Sequence, residues 1–316
     1  MQKMVFFPFV AVFSVLCVAS SGDRQYAYQK CVSECSVKGC DLSLVLRWTL
    51  WDCESNCRYE CTHSVTARNL REDGEVHQFH GKWPFTRLFG MQEPASVLFS
   101  LLNAWAHWRG FLAVVAEIRE KAGPKADSRG LGGLYLTNAC LCMFGWFWSA
   151  VFHARDLPFT EKMDYFSAVG SLLFNAYIAL VKLFNLLEPN RRRLRTLLQF
   201  ICIVFYTMHI SYLSLWDFDY SYNMAAGITV GLSSNTAWLL WSLCNYKKRY
   251  YHYKILAFVI LITLAMSLEV LDFPPWFWIL DAHALWHAAT VPLDFLLYSF
   301  ILDDLRFDDI GPLLAR

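Results

Sequence analysis

Seven apolar stretches follow one another through the last two thirds of the chain, at roughly 95–117, 133–153, 164–187, 196–216, 222–244, 255–272 and 277–302. A bilayer core is about 30 Å thick and an α-helix rises about 1.5 Å per residue, so each stretch suits one transmembrane helix. Ahead of them lies a polar segment, residues 22–94, and ahead of that an apolar run, Met4–Val18. Lys3 precedes this run, and the small residues Ala19, Ser20, Ser21 and Gly22 follow it. A basic start, a short apolar core and a small-residue exit predict a signal peptide over 1–21, with an uncleaved anchor as the alternative. The expected fold is therefore an all-α membrane protein. A seven-transmembrane-helix bundle, 95–302, stands behind a small N-terminal domain, 22–94, and ends in a tail, 303–316.

Composition agrees with an apolar solvent: 56% of residues are hydrophobic and only 17% charged, against about 25% charged in soluble domains. The net charge of +1 supplies no general pull toward nucleic acid. Where the charges sit matters more. Basic residues crowd the connections after the first span (Arg119, Lys121, Lys125, Arg129), the third (Arg191, Arg192, Arg193, Arg195) and the fifth (Lys247, Lys248, Arg249, Lys254). The alternate connections hold only Arg155 and Lys162 after the second span, and no basic residue in 217–221 or 273–276. Cytoplasmic loops are the Lys/Arg-rich ones, so the N-terminal domain is expected in the lumen and the C-terminus in the cytosol. Six cysteines (Cys31, Cys35, Cys40, Cys53, Cys57 and Cys61) fall inside that lumenal segment. Behind a signal peptide they predict three disulfides rather than a zinc cluster, and the connectivity stays open.

Ionisable residues inside spans are costly and mark sites. Ser149 and His153 lie four apart near the end of the second span, and His283 and His287 four apart in the seventh. Asp164 opens the third. Residues at this spacing share a helix face, and by the topology above all five lie toward the lumenal side. Three imidazoles with an open fourth position form the ligand set of a catalytic zinc site. His153, His283 and His287 are thus the expected Zn2+ ligands, with Asp164 as general base and Ser149 as hydrogen-bond donor to an oxyanion. The rival reading is that these residues only join helices. Glu269, Asp272 and Asp281 are further acids near the same end, able to orient imidazoles or to serve the interface. His209 has no spacing partner and reads as packing.

Several strings carry a resemblance. They are Gln78–Phe85 (QFHGKWPF), Trp146–Ser149 running through Val151–His153, and Thr160–Phe166 (TEKMDYF). Leu271–Pro275 (LDFPP) and Asp281–His287 (DAHALWH) complete the set. In this order the chain resembles the post-GPI-attachment-to-proteins factor 3 family, within the CREST superfamily of heptahelical hydrolases. The resemblance implies that the three histidines bind zinc and that Ser149 and Asp164 take part in hydrolysis. It further implies a phospholipase A2-type enzyme that removes the unsaturated sn-2 acyl chain from the lipid of GPI-anchored proteins. The implied location is the Golgi membrane, with the endoplasmic reticulum as the alternative. An alkaline-ceramidase-like amide hydrolase and a non-enzymatic seven-helix receptor or chaperone are the competing functions.

Overall fold

The computed structural model describes residues 20–120, 130–216 and 218–314. The expected signal peptide lies, but for its last two positions, outside the described residues, as do Lys121, Lys125 and Arg129 of the first basic connection. The N-terminal part is built from α1 (Tyr26–Lys38), α2 (Leu44–Trp48) and α3 (Cys53–Glu72). Asp52 starts α3 with a capping box: its carboxylate accepts the Ser55 N–H at 2.7 Å and Ser55 Oγ accepts the Asp52 N–H at 3.1 Å. The i, i+4 spacing puts Cys31 and Cys35 on one face of α1, and Cys57 and Cys61 on one face of α3. The faces join as Cys31–Cys61 and Cys35–Cys57, while Cys40–Cys53 closes the loop between them. Among the described residues the core here is small, Tyr28, Val65 and Phe79 with Cys61, and Ala27 and Val32 packed against them, so these cross-links supply stability that burial in so small a unit does not.

Seven long helices follow among the described residues: α4 (Pro94–Glu120), α5 (Leu131–Ala154), α6 (Pro158–Leu183), α7 (Arg192–Leu215), α8 (Tyr220–Asn245), α9 (His252–Val270) and α10 (Ala282–Leu314). Five of them, α5, α6, α7 with the 3-10 turn before it, α9 and α10, are long and apolar enough to cross a membrane. The chain is a multi-pass membrane protein. Helices α4 and α8 fall short of that measure: α4 carries Asn103, His107, Arg109 and Glu117, and α8 is rich in Ser, Thr, Gly and Asn. Helices α4, α5, α6, α8, α9 and α10 pack in sequence around a closed ring, with α7 outside against α6. Accordingly α7 presents Phe200, Ile203 and Met208 outward, a face suited to hydrocarbon. Gly110 lets α4 approach α10, because a Cβ there would stand 2.3 Å from the Tyr298 ring.

Helix ends differ from the apolar boundaries where capping decides them. Helix α6 begins at Pro158, well before the apolar run, because proline suits the first helical position and Thr160 Oγ accepts the Leu157 N–H at 3.0 Å. Helix α10 begins only at Ala282, since Trp276 and Leu280 pair in a tight turn and Asp281 accepts the Ala284 N–H at 2.8 Å. At its other end α10 runs on past residue 302. Asp304 there is fully buried. It accepts from the hydroxyls of Tyr135 (2.6 Å) and Tyr251 (2.7 Å), from Lys182 Nζ (2.6 Å) and from Arg249 (3.1 Å).

Candidate metal centre

The last carbonyls of a helix lack intrahelical partners, and α5 ends on the residues that matter most. The segment leading into α4 supplies the missing donors. Gln92 N–H donates to the Ala154 carbonyl and Glu93 N–H to the His153 carbonyl, each at 3.0 Å. The Glu93 side chain then accepts the His153 Nδ1–H at 2.7 Å, so one residue holds His153 by backbone and ring together. His283 and His287 stand one turn apart at the start of α10, behind the Asp281 cap. His283 donates its Nδ1–H to Glu269 of α9 at 2.7 Å, and His287 Nδ1 meets Ser100 Oγ of α4 at 3.0 Å. His153 and His287 are buried, whereas the side chains of His283 and Glu269 retain 34% and 32% exposure. The centre therefore opens on the His283 side.

The three rings bring one nitrogen each within 4.8 Å of one another. His153 Nε2 and His283 Nε2 are 3.3 Å apart. Carboxylates only accept, so Glu93 and Glu269 commit both ring protons to Nδ1. With neither ring carrying a second proton, the two Nε2 lone pairs face each other across that distance, an arrangement that a cation resolves. Tetrahedral zinc with Zn–N bonds of about 2.0–2.1 Å sets its ligand nitrogens about 3.3 Å apart. Carboxylate partners behind the imidazoles are also what orients metal-ligating histidines. The residues present fit a divalent metal.

Ser149 reaches the same place through a hydroxyl chain: Ser100 Oγ lies 3.1 Å from Ser149 Oγ and 3.0 Å from His287 Nδ1. Asp164 sits in the second turn of α6, where the charges acting on it are those of His283, Lys82, Glu93 and Glu161. It shares no hydrogen bond with the three histidines. Asp281 is a helix cap, and Asp272 accepts from Gln78 and Trp83 rather than from an imidazole. His209 is buried against Phe205 and Tyr222.

Two contributors carry no sequence signal of their own, Ser100 and Glu93, and a third, Lys82, stands in the sequence only as part of the Gln78–Phe85 string. Lys82 arrives on a two-residue hairpin. Phe79 and Lys82 exchange backbone hydrogen bonds of 2.8 and 3.0 Å around His80 (φ 50°) and Gly81 (φ 76°), the left-handed pair that such turns require. Its ammonium pairs with Glu93 at 2.5 Å and Asp156 at 2.9 Å. Burial opposes both charges. Even so, Lys82 and His153 hold the Glu93 carboxyl well below the usual carboxylate range. The two acids push the Lys82 ammonium above its ordinary value.

Comparison with known proteins joins this geometry to a lineage. Residues 43–305 match the Per1-like family. The chain is 39% identical over 311 residues to the GPI-specific phospholipase A2-like PGAP3 of Xenopus laevis, covering 94% of each chain. It is 36% identical over 301 residues to the Homo sapiens protein of that name, covering 92% of this chain and 91% of that one. Against the Protein PER1 homolog of Schizosaccharomyces pombe the identity is 39% over 302 residues, with 92% and 88% covered.

Proposed function

The chain belongs to the Per1-like family, and from that premise we propose that it remodels the lipid of GPI-anchored proteins by hydrolysing the sn-2 acyl ester. The observation that carries this reading is the meeting of three imidazoles in a membrane bundle, in a chain so similar to proteins named GPI-specific phospholipase A2-like. His153, His283 and His287 hold zinc, all seven long helices cross the bilayer, and residues 22–94 form a lumenal domain before the bundle. The centre then faces the Golgi lumen, the side on which GPI anchors reside.

A zinc ion at the three histidines supplies Lewis-acid polarisation of the ester carbonyl and makes water a stronger acid. Glu93 and Glu269 keep Nε2 of His153 and His283 unprotonated and aimed inward. With Nε2 of His287 turned to the same centre, its proton sits on Nδ1 and is donated to Ser100. Ser100 in turn donates to Ser149. The Ser149 hydroxyl hydrogen is thereby left for the oxygen that gains charge as water adds to the carbonyl. Asp164 accepts the proton of the attacking water and returns it to the departing sn-2 oxygen. The C–O bond breaks, giving a free fatty acid and a lyso-GPI lipid.

The test is acyl-chain analysis of GPI anchors from cells lacking the protein, rescued with wild type or His287→Ala. We expect the unsaturated sn-2 chain to persist without the protein and to disappear only with wild type. Equal rescue by both forms would remove the histidines from the chemistry.

A further inference from the structure

A cavity of about 280 Å³ lies between the disulfide-bonded helices and the end of the bundle, and nothing above uses it. One wall is Glu93, whose Oε2 holds His153 while its Oε1 holds Lys82. The opposite wall is α3, with Arg58 and Tyr59, and the Phe79–Phe85 hairpin with Trp83 closes a third side. Trp51 and Arg155 complete it.

Charge and surface decide what this space can hold. Its acids, Glu93 and Asp156, are both engaged by Lys82. Two cationic heads remain. Arg155 lies over the Trp51 ring at 4.4 Å and, among the described residues, its hydrogen bonds go to neutral oxygens, the Leu50 and Asp156 carbonyls and Gln92 Oε1. Arg58, half-exposed at the rim, has Glu54 one turn earlier on α3 as its ion-pair partner. Guanidinium groups match phosphate oxygens in geometry and charge; the Trp51 and Tyr59 rings are already covered by Arg155 and Arg87, which leaves Trp83 as the lining indole for the C–H face of a sugar ring. A concave space of this size, lined largely by polar and charged side chains, suits a polar, charged ligand better than an apolar one.

We propose that this cavity binds the phosphate-bearing glycan of the GPI lipid, with the acyl ester lying at the histidines on the other side of Glu93. The proposal rests on the hydrolase reading for its choice of ligand. It assigns selectivity for GPI over ordinary phospholipid to the disulfide-bonded domain and the residues facing it, through Arg58, Arg155 and Trp83.

The experiment uses the full-length protein in phosphatidylcholine nanodiscs and the soluble, deacylated headgroup glucosaminyl-inositol phosphate, with inositol phosphate and inorganic phosphate as comparators. Binding is read by calorimetry, and zinc content is measured in every sample. The glycan headgroup should bind saturably and about tenfold or more tighter than inositol phosphate. Arg58→Glu should weaken it about tenfold or more, the loss expected of one charge-assisted phosphate contact, with partial recovery in Arg58→Lys and unchanged zinc. Equal affinity for all three probes, or an Arg58→Glu protein that binds as wild type, would overturn the assignment. Acyl release from GPI lipid is scored separately on wild type. Release with headgroup binding indifferent to Arg58 sinks the cavity and spares the hydrolase. Arg58-dependent binding with no release does the reverse.

Discussion

Helix α10 has buried charge at both ends, and the two ends solve the problem differently. At the far end Asp304 receives two hydroxyls, an ammonium and a guanidinium. At the near end outer partners meet the Nδ1 atoms of His153, His283 and His287, and the three rings bring one nitrogen each toward a common point. A buried ionised group with its hydrogen-bonding capacity exhausted is a lock. A set of oriented lone pairs left facing one another is a socket. Both ends are polar clusters in an apolar bundle, and only their satisfaction tells them apart.

The contrast breaks most sharply at the lock. Asp304→Ala leaves the buried Lys182 ammonium without its carboxylate, a change worth about 3–5 kcal/mol when one partner of a buried pair is removed. Thermal unfolding in detergent should show this loss, while the fraction that stays folded keeps its zinc. An unchanged melting temperature would mean that the cluster holds nothing together. At the socket the expected effect is smaller and falls on the metal. Glu93→Gln preserves shape but not charge behind His153, and should weaken zinc binding about 10- to 100-fold in chelator competition. Wild-type affinity would detach Glu93 from the centre. Smallest is Ser100→Ala, which removes two neutral hydrogen bonds, to Ser149 and His287, each worth about 0.5–1.5 kcal/mol. It should lower kcat by about tenfold or less at full zinc occupancy, and a loss of zinc instead would make Ser100 part of the metal support rather than of the hydroxyl chain.

What the sequence made legible follows the range of its signals. The i, i+4 pairs Ser149/His153 and His283/His287 are local, and local spacing reports which residues share a face. Cysteines at the same spacing in α1 and α3 carried a hint of the two-rung ladder that formed, but the pairing needed the helices to be set side by side. Glu93 had no such signal. It lies in a polar stretch just ahead of an apolar run, and its tie to His153 spans 60 residues. Glu269 stood out because an acid near the end of an apolar span is conspicuous, yet its partner emerged only with the packing of α9 on α10. The run-on of α10 beyond 302 was hidden for the opposite reason. Asp303 and Asp304 look like an exit from the membrane until Lys254, Lys182 and Arg249 arrive from other helices to pair with them.

The clasp on Asp272 has a consequence in time. Gln78 and Trp83 fasten the disulfide-bonded domain to the connection between α9 and α10, across 194 and 189 residues. Chains are made from the N-terminus and domains fold as they emerge, so that domain is complete long before Asp272 has been translated. The stretch from Glu269 to His287, made after that domain, brings Glu269, Asp272, His283 and His287 together. It closes the clasp and fills two of the three histidine positions in one event. A chain stalled before α9 therefore has one of the three histidines and neither Glu269 nor Asp272 to set beside it.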